Sequence, residues 1–231
     1  MSNAFSPIRR LKSLANRFVR PFRQDPDAFL GCIKGVIHVG ANLGQERDLY
    51  AARDLNVVWI EPIPAVFQKL QDSIGSYPKQ RAFCQLITDV DDQHYSFNIG
   101  GHMGESSSIL ELAKHKLLWP EVTHTETINL RSLTLSSLMR KEELDPAHYD
   151  ALVMDTQGAE LLVLKGAADR LPCFKFIKSE VADFESYKGC CLLTEMDAFL
   201  QKFRFQRIAT RSFASHAQAG SYYNVVYSRR T

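Results

Sequence analysis

Short apolar runs alternate with amphipathic stretches from residue 35 onward, and this alternation limits the chain to few folds. Gly35–Val39, Asn56–Ile60 and Arg81–Ile87 read as strands, with helical patterns from about Gly44 to Arg53 and from Pro64 to Ser76 between them. Proline suits the first turn of a helix, where its missing N–H is not needed. A β-α-β-α-β order predicts an α/β fold with a mostly parallel, Rossmann-like sheet and helices on both faces. The pattern resumes with a strand at Tyr149–Met154, a helix at Ala159–Arg170, a strand at Phe174–Val181 and a helix at Leu192–Phe203. Two last strands, Phe205–Thr210 and Tyr222–Tyr227, predict an antiparallel C-terminal edge. The middle differs. His94–Ile99 and Thr125–Leu130 alternate like half-exposed strands, separated by the polar loop Gly100–Glu105 and a helical patch at Leu110–Leu118. They predict a small β insertion at about 92–130.

Charge divides the chain unevenly. Its 231 residues suit one domain, and 28 basic against 26 acidic side chains leave a net +2. That balance gives no nucleic-acid signature. Residues 1–24 hold Arg9, Arg10, Lys12, Arg17, Arg20 and Arg23 and no acid, so the remainder carries −4. Ile8, Leu11, Leu14, Ala15 and Phe18 fall at roughly helical spacing. The expected organisation is a basic helical segment at 1–30 and one domain at 31–231. The basic segment reads either as a solvated terminus or as an amphipathic helix that weakly contacts an anionic surface or covers the active site. No apolar run reaches the roughly 18 residues of a membrane span, and the N-terminus lacks the apolar core of a secretory signal. Cys32, Cys84, Cys173, Cys190 and Cys191 form no CxxC pair, which fits buried free thiols in a cytoplasmic protein.

Three places carry chemistry. In Val36-Ile-His-Val-Gly40-Ala-Asn-Leu-Gly44 a strand runs into a glycine turn and then a helix. Glycines let backbone approach a ligand, and the helix start offers free N–H groups to an anion. Such turns also occur for packing alone. Glu61 ends the next strand, 21 residues beyond Gly40. An acid at about that spacing can accept hydrogen bonds from both ribose hydroxyls. Both features fit several nucleoside ligands, NAD among them, although Asn42 and Leu43 break the dinucleotide fingerprint. The third place is Asp155-Thr-Gln-Gly-Ala-Glu160 after the run Ala151–Met154, at a strand's carboxyl end where α/β sheets bind ligands.

Together these segments resemble the FkbM-type methyltransferases, a branch of the class I S-adenosylmethionine-dependent enzymes. The resemblance spans about residues 34–227 and is carried by Ile37–Glu46, Val58–Pro62, Ser106–Leu110, Asp155–Leu161, Val163–Ala167 and Ser179–Val181. It implies that His38, Gly40, Asn42, Gly44 and Gln45 form the cofactor turn and its flanks, that Glu61 holds the ribose, and that Ile87 lies near the adenine. Asp155 and Gln157 would lie beside the methionine part and the methyl group. It also implies O-methylation of a small acceptor such as a sugar or glycan. Many relatives carry Asp in place of His38, Glu in place of Gln157 and Asp in place of Thr134. A neutral amide at 157 takes no proton.

A hydroxyl acceptor needs a base, typically worth about 10²–10⁴-fold. Glu180, Glu160 and His102 are the catalytic candidates, and Ser107, Ser108 and His115 the acceptor-binding ones. Asp155, Glu160 and Glu180 are also of the type that holds Mg²⁺, but their spacing does not demand a metal and none is expected. Two other readings stay open: an NAD-linked oxidoreductase, and a binding protein that keeps a cofactor pocket without turnover.

Overall fold

The computed structural model describes residues 25–230. The basic segment, including its predicted helix, lies outside the described residues, but its last part does not. A 3-10 turn at Ala28–Cys32 buries Phe29 and Leu30 under the main sheet.

That sheet has seven strands: β1 (Gly35–Val39), β2 (Asn56–Glu61), β3 (Gln80–Cys84), β7 (Ala151–Met154), β8 (Phe176–Ala182), β9 (Phe205–His216) and β10 (Gly220–Arg229). Their spatial order is β3-β2-β1-β7-β8-β10-β9, parallel from β3 through β8. The antiparallel strand is the C-terminal β10, which runs antiparallel to both β8 and β9. It therefore lies one place inside the edge, and β9 forms the edge itself.

β1 is buried on both faces, as a central parallel strand must be. Val36 packs with Tyr50 of α1 (Arg47–Ala51) and with Leu70 and Ile74 of α2 (Pro64–Ile74). Ile37 and Val39 face the larger cluster, with Leu135, Leu138 and Met139 of α3 (Leu135–Lys141), Val163 and Leu164 of α4 (Glu160–Gly166), and Met196 and Leu200 of α5 (Leu193–Lys202). Val66, Leu70 and Ile74 recur every fourth residue, so one stripe of α2 meets the sheet. Each fully buried Leu or Ile contributes about 1.5–3 kcal/mol.

Four expectations change. The third strand does not run unbroken to Ile87. β3 stops at Cys84, and Leu86–Ile87 (β4) pairs in parallel with β6 (His124–Leu133) of a second, three-stranded sheet completed by β5 (His94–Gly100). Gln85 sits at the break and donates its amide to the Arg131 carbonyl at 2.7 Å. The patch at Leu110–Leu118 is not an α-helix. Leu112 bridges Tyr187, Ala113 donates to the Ser186 carbonyl and Lys188 to the Glu111 carbonyl, which leaves a 3-10 turn only at Lys114–Leu117. Tertiary pairing outweighs local periodicity there. The helix expected to reach Arg170 ends at Gly166, where a Cβ would meet the Thr88 carbonyl oxygen at 2.1 Å. Lastly, Cys190 and Cys191 are buried free thiols, but Cys32, Cys84 and Cys173 are exposed. Among the described residues no helix is long and apolar enough to cross a membrane.

Candidate active site

Gly40 follows the last residue of β1 with φ +79°, and its N–H donates to the Ile60 carbonyl at 2.9 Å. A Cβ there would stand 1.8 Å from the carbonyl oxygen of Asp155, so only glycine lets β1 and β7 close up at this rim. Asn42 is also left-handed, at φ 46°. Its backbone N–H donates to Glu61 Oε2 at 2.8 Å, and the Ile63 N–H donates to Glu61 Oε1 at 3.0 Å. Each carboxylate oxygen thus holds one backbone donor and keeps one further acceptor direction. Burial raises the Glu61 carboxyl to about 7 against the two N–H groups, which lower it, while Asp155 adds to the rise. Gly44, at φ +68°, ends the turn where a Cβ would meet Leu70 Cδ1 at 2.7 Å, and Gln45 donates to Asn42 Oδ1 at 3.2 Å.

A cavity of about 290 Å³ opens at this rim. Its polar wall holds Glu61, Asp155 and Gln157, and Gln45 and Glu46 lie at the turn. Its apolar wall holds Ile63, Leu86, Ile87, Phe97 and Ile109. The size is at the lower end of small-ligand sites. Ile87 reaches the cavity from β4, not from the main sheet, so the break after Cys84 delivers it. The Gly100–Glu105 loop covers one side with Gly104 and Glu105. Asn42 Nδ2 donates to the Met103 carbonyl at 3.0 Å and ties that loop to the glycine turn.

Asp155 lies at the end of β7, and its N–H donates to the Val39 carbonyl. Gln157 Nε2 donates to Asp155 Oδ1 at 2.7 Å. Glu160 turns inward: its Oε1 accepts from Thr156 N, Thr156 Oγ1 and Gly158 N at 3.0–3.1 Å, so this carboxylate folds the turn between β7 and α4. Burial raises its carboxyl to about 7 despite the backbone donors. Glu180 of β8, with Asp155, Gln157 and Glu160, lines a small adjoining void closed by Tyr187 and Tyr222. Its carboxylate has no hydrogen-bond partner among the described residues. Burial, then the charges of Asp155 and Glu160, push its carboxyl well above the ordinary range, with Lys178 opposing.

A carboxyl raised in the folded state favours folding while protonated. Its contribution is complete below the unfolded value near 4.5 and is lost as pH rises through the raised one. Glu180→Gln removes that loss, so the variant should melt above wild type by about 5 °C at a pH near 8. The gap should close near pH 5. Scanning calorimetry at the two pH values checks this, and an equal shift at both would refute it.

The other expected residues divide between the cavity wall, which His38 and Ser107 reach, and positions away from it. His38 touches the cavity wall, but its ring stacks on Trp59 at 5.0 Å and its Nδ1 meets the Tyr50 hydroxyl at 3.3 Å. Burial, then the Lys178 charge, lowers it to about 3, so it stays neutral. His102 is exposed on the covering loop and is not among the cavity walls. His115 is buried away from the cavity, its Nδ1 2.6 Å from the Tyr222 hydroxyl. Ser107 reaches the wall, and its Oγ accepts from the Gly100 N–H. Ser108 Oγ donates to the Gln157 carbonyl at 2.9 Å, holding the β7 turn instead of facing the cavity. Thr134 caps α3 by accepting from the Ser137 N–H, and the acid missing at 134 comes from Asp91, which accepts from the Thr134 N–H and the Ser137 hydroxyl. Residue reading missed Tyr187, whose hydroxyl donates to Gln157 Oε1 at 2.8 Å. Nothing local marks it, because it follows β8 and lies 30 residues from its partner.

A parallel sheet with a glycine turn and a carboxylate on neighbouring strands, closed by an antiparallel C-terminal strand, defines a class I methyltransferase architecture. Solved structures of this shape include magnesium protoporphyrin IX methyltransferase (ChlM) from Synechocystis PCC 6803 with bound SAM. The likeness has a TM-score of 0.51 at 8% identity, covering 100% of this chain and 87% of that one. The same enzyme with bound SAH also gives 0.51, at 7% identity and with 90% of that chain covered. At these identities the likeness concerns the fold. Within that class, the Methyltransferase FkbM domain matches residues 38–207, and the chain belongs to this family. A curated relative, 2-O-methyltransferase NoeI from Sinorhizobium fredii (strain NBRC 101917 / NGR234), is 27% identical over 162 residues, 67% of this chain. The match spans 65% of that relative, just under two thirds of its length. The family's cofactor is S-adenosylmethionine. The residues present suit it: Glu61 keeps an acceptor direction on each oxygen for a ribose diol, and Gly40 and Asn42 line the cavity beside it.

Proposed function

We propose that this chain transfers a methyl group from S-adenosylmethionine to a hydroxyl oxygen of a sugar, glycan or other small acceptor. The observation that carries the reading is Glu61, buried at the cavity wall beside the glycine turn with both oxygens fixed by backbone donors. The relative named as a 2-O-methyltransferase supports an oxygen acceptor. When bound, the cofactor supplies a methyl group activated on a sulfonium.

The chain's own residues then divide the work. Glu61 holds the ribose hydroxyls, and the methionine carboxylate lies against Gln45 at the end of the turn, since the N–H groups of Gly40 to Gly44 are all engaged within the protein. Leu86, Ile87 and Phe97 cover the adenine, and Asp155 with Gln157 faces the methionine amino group. Ser107 borders the acceptor's side of the cavity. Alignment of the reacting atoms provides most of the rate, up to about 7–11 kcal/mol. Among the three candidate bases, Glu180 fits best. Glu160 is held through its Oε1 by the turn it folds and His102 is exposed on the covering loop, whereas the Glu180 carboxylate has no hydrogen-bond partner among the described residues and adjoins the cavity across the walls the two share at Asp155 and Gln157. With the cofactor bound, Glu180 in its ionised form would take the acceptor's hydroxyl proton, and because its carboxyl is raised that form grows as pH rises.

The deciding experiment has two arms. Calorimetry of the folded chain with S-adenosylhomocysteine and, separately, NAD should show binding of the first alone. Extracts incubated with methyl-labelled S-adenosylmethionine should then yield a labelled ether on a hydroxyl-bearing small molecule. Stabilisation by NAD without S-adenosylhomocysteine binding would favour an oxidoreductase. Cofactor binding without any labelled product across glycans, lipids and natural products would favour the non-catalytic reading.

A further inference from the structure

We propose that Tyr187 is a positioning residue that locks the Gln157 amide in the one orientation that donates to Asp155, and so fixes Asp155 as an acceptor for the cofactor. The inference rests on the S-adenosylmethionine reading above. Its basis is a one-way chain of hydrogen bonds. The Tyr187 hydroxyl stands between two acceptors, Gln157 Oε1 at 2.8 Å and the Ser106 carbonyl at 3.5 Å. A backbone carbonyl cannot donate, so the phenol directs its single proton toward oxygen, and the shorter bond goes to Gln157. With Oε1 held by that donor, Nε2 points to Asp155 Oδ1 at 2.7 Å. An amide turned the other way would set its oxygen against a carboxylate, and its N–H₂ could meet the phenol oxygen only with the Tyr187 proton turned to the more distant Ser106 carbonyl, exchanging the two short contacts for a repulsion and a long one.

The surroundings make orientation matter. Gln157 sits in the left-handed region at φ 52°, where a non-glycine residue is strained. Besides the Glu160 carboxylate, two contacts hold the turn: Ser108 Oγ on the Gln157 carbonyl and the Cys191 N–H on the Gly158 carbonyl. Tyr187 itself is fully buried, and its segment is stitched to the insertion through Leu112, Ala113 and Glu111. Asp155 works among many charges: Glu46 before α1, Glu61 on β2, Glu160 on α4, and Lys178 and Glu180 on β8. Burial raises its carboxyl, and the Gln157 donor is the first influence that lowers it again. Losing that donor leaves Asp155 among like charges, with Lys178 as the opposing cation and that lysine already paired with Asp27.

The test is calorimetric titration of the full chain with S-adenosylhomocysteine across about pH 6 to 8.5, beside melting curves. Tyr187→Phe should weaken binding about five- to tenfold, the scale of one buried hydrogen bond. In a Gln157→Leu background the same substitution should add less than about twofold, because the residue it acts through is gone. Gln157→Glu keeps the shape and Tyr187's acceptor but replaces the donor to Asp155 with a second carboxyl. It should move the pH midpoint of binding upward by about one unit or more, and it serves even where Tyr187→Phe does not fold. The proposal is overturned if Tyr187→Phe binds like wild type, if it acts equally in both backgrounds, or if Gln157→Glu keeps the wild-type midpoint. A folded wild type that binds no S-adenosylhomocysteine instead ends the methyltransferase reading, and this inference falls with it.

Discussion

Glu61→Ala is expected to weaken S-adenosylhomocysteine binding by about 10²–10⁴-fold. Two hydroxyl-to-carboxylate hydrogen bonds are lost, each worth about 1.5–3 kcal/mol, and about 1.4 kcal/mol corresponds to tenfold. The Asn42 and Ile63 N–H groups also lose their acceptor, so the turn loosens. Glu61→Gln should fall between the two, since one oxygen remains. The pH dependence separates charge from shape. With the wild-type carboxyl raised to about 7, its ionised form is depleted below that pH, and affinity should fall as pH drops from about 8 to 6. The Gln variant should lose Glu61's share of that fall, leaving only the shallower dependence that Asp155 imposes. Calorimetric titration of the three proteins at several pH values reads both effects, and a pH-independent wild type would refute the role given to Glu61.

The second large effect is expected at Gly40. Gly40→Ala places a methyl 1.8 Å from the Asp155 carbonyl oxygen at φ +79°. Strand β1 must then move away from β7 at the rim that carries the glycine turn. A destabilisation of about 3 kcal/mol or more is expected from strain and overpacking combined, together with loss of measurable S-adenosylhomocysteine binding. Gly189→Ala provides the control. That residue has φ +67° but nothing within 4 Å of a built Cβ, so it pays conformational strain alone, about 1–2 kcal/mol. If the two variants melt alike, steric closure at Gly40 is not what the glycine serves.

These effects explain why part of the site was legible before any coordinates. Gly40 and Glu61 end adjacent parallel strands joined by one crossover, and such strands present their carboxyl ends to the same rim. The spacing of 21 residues therefore implied proximity, and the Asn42 N–H to Glu61 contact realises it. Asp155 was legible for the same reason, at the end of an apolar run. Glu160 was legible as a residue but not in what it does there. Sequence spacing does not say whether a carboxylate at a helix start faces a ligand or folds back on its own turn, and here three donors within four residues capture it. His38 reads as a cofactor contact by its place in the motif, yet Trp59 and Tyr50, which take up its ring, come from other elements.

The sequence by itself determined the alternation of strands and helices, hence a parallel sheet, and the glycine turn and acid at its rim. Those features are set within one β-α-β unit, where periodicity and turn chemistry act over a few residues. Only the tertiary structure decided where β10 inserts, that the third strand breaks at Gln85 to deliver Ile87, and that Tyr187 reaches Gln157. Each depends on contacts between segments tens of residues apart, and hydrogen-bond partners at that separation leave no period in the chain to read.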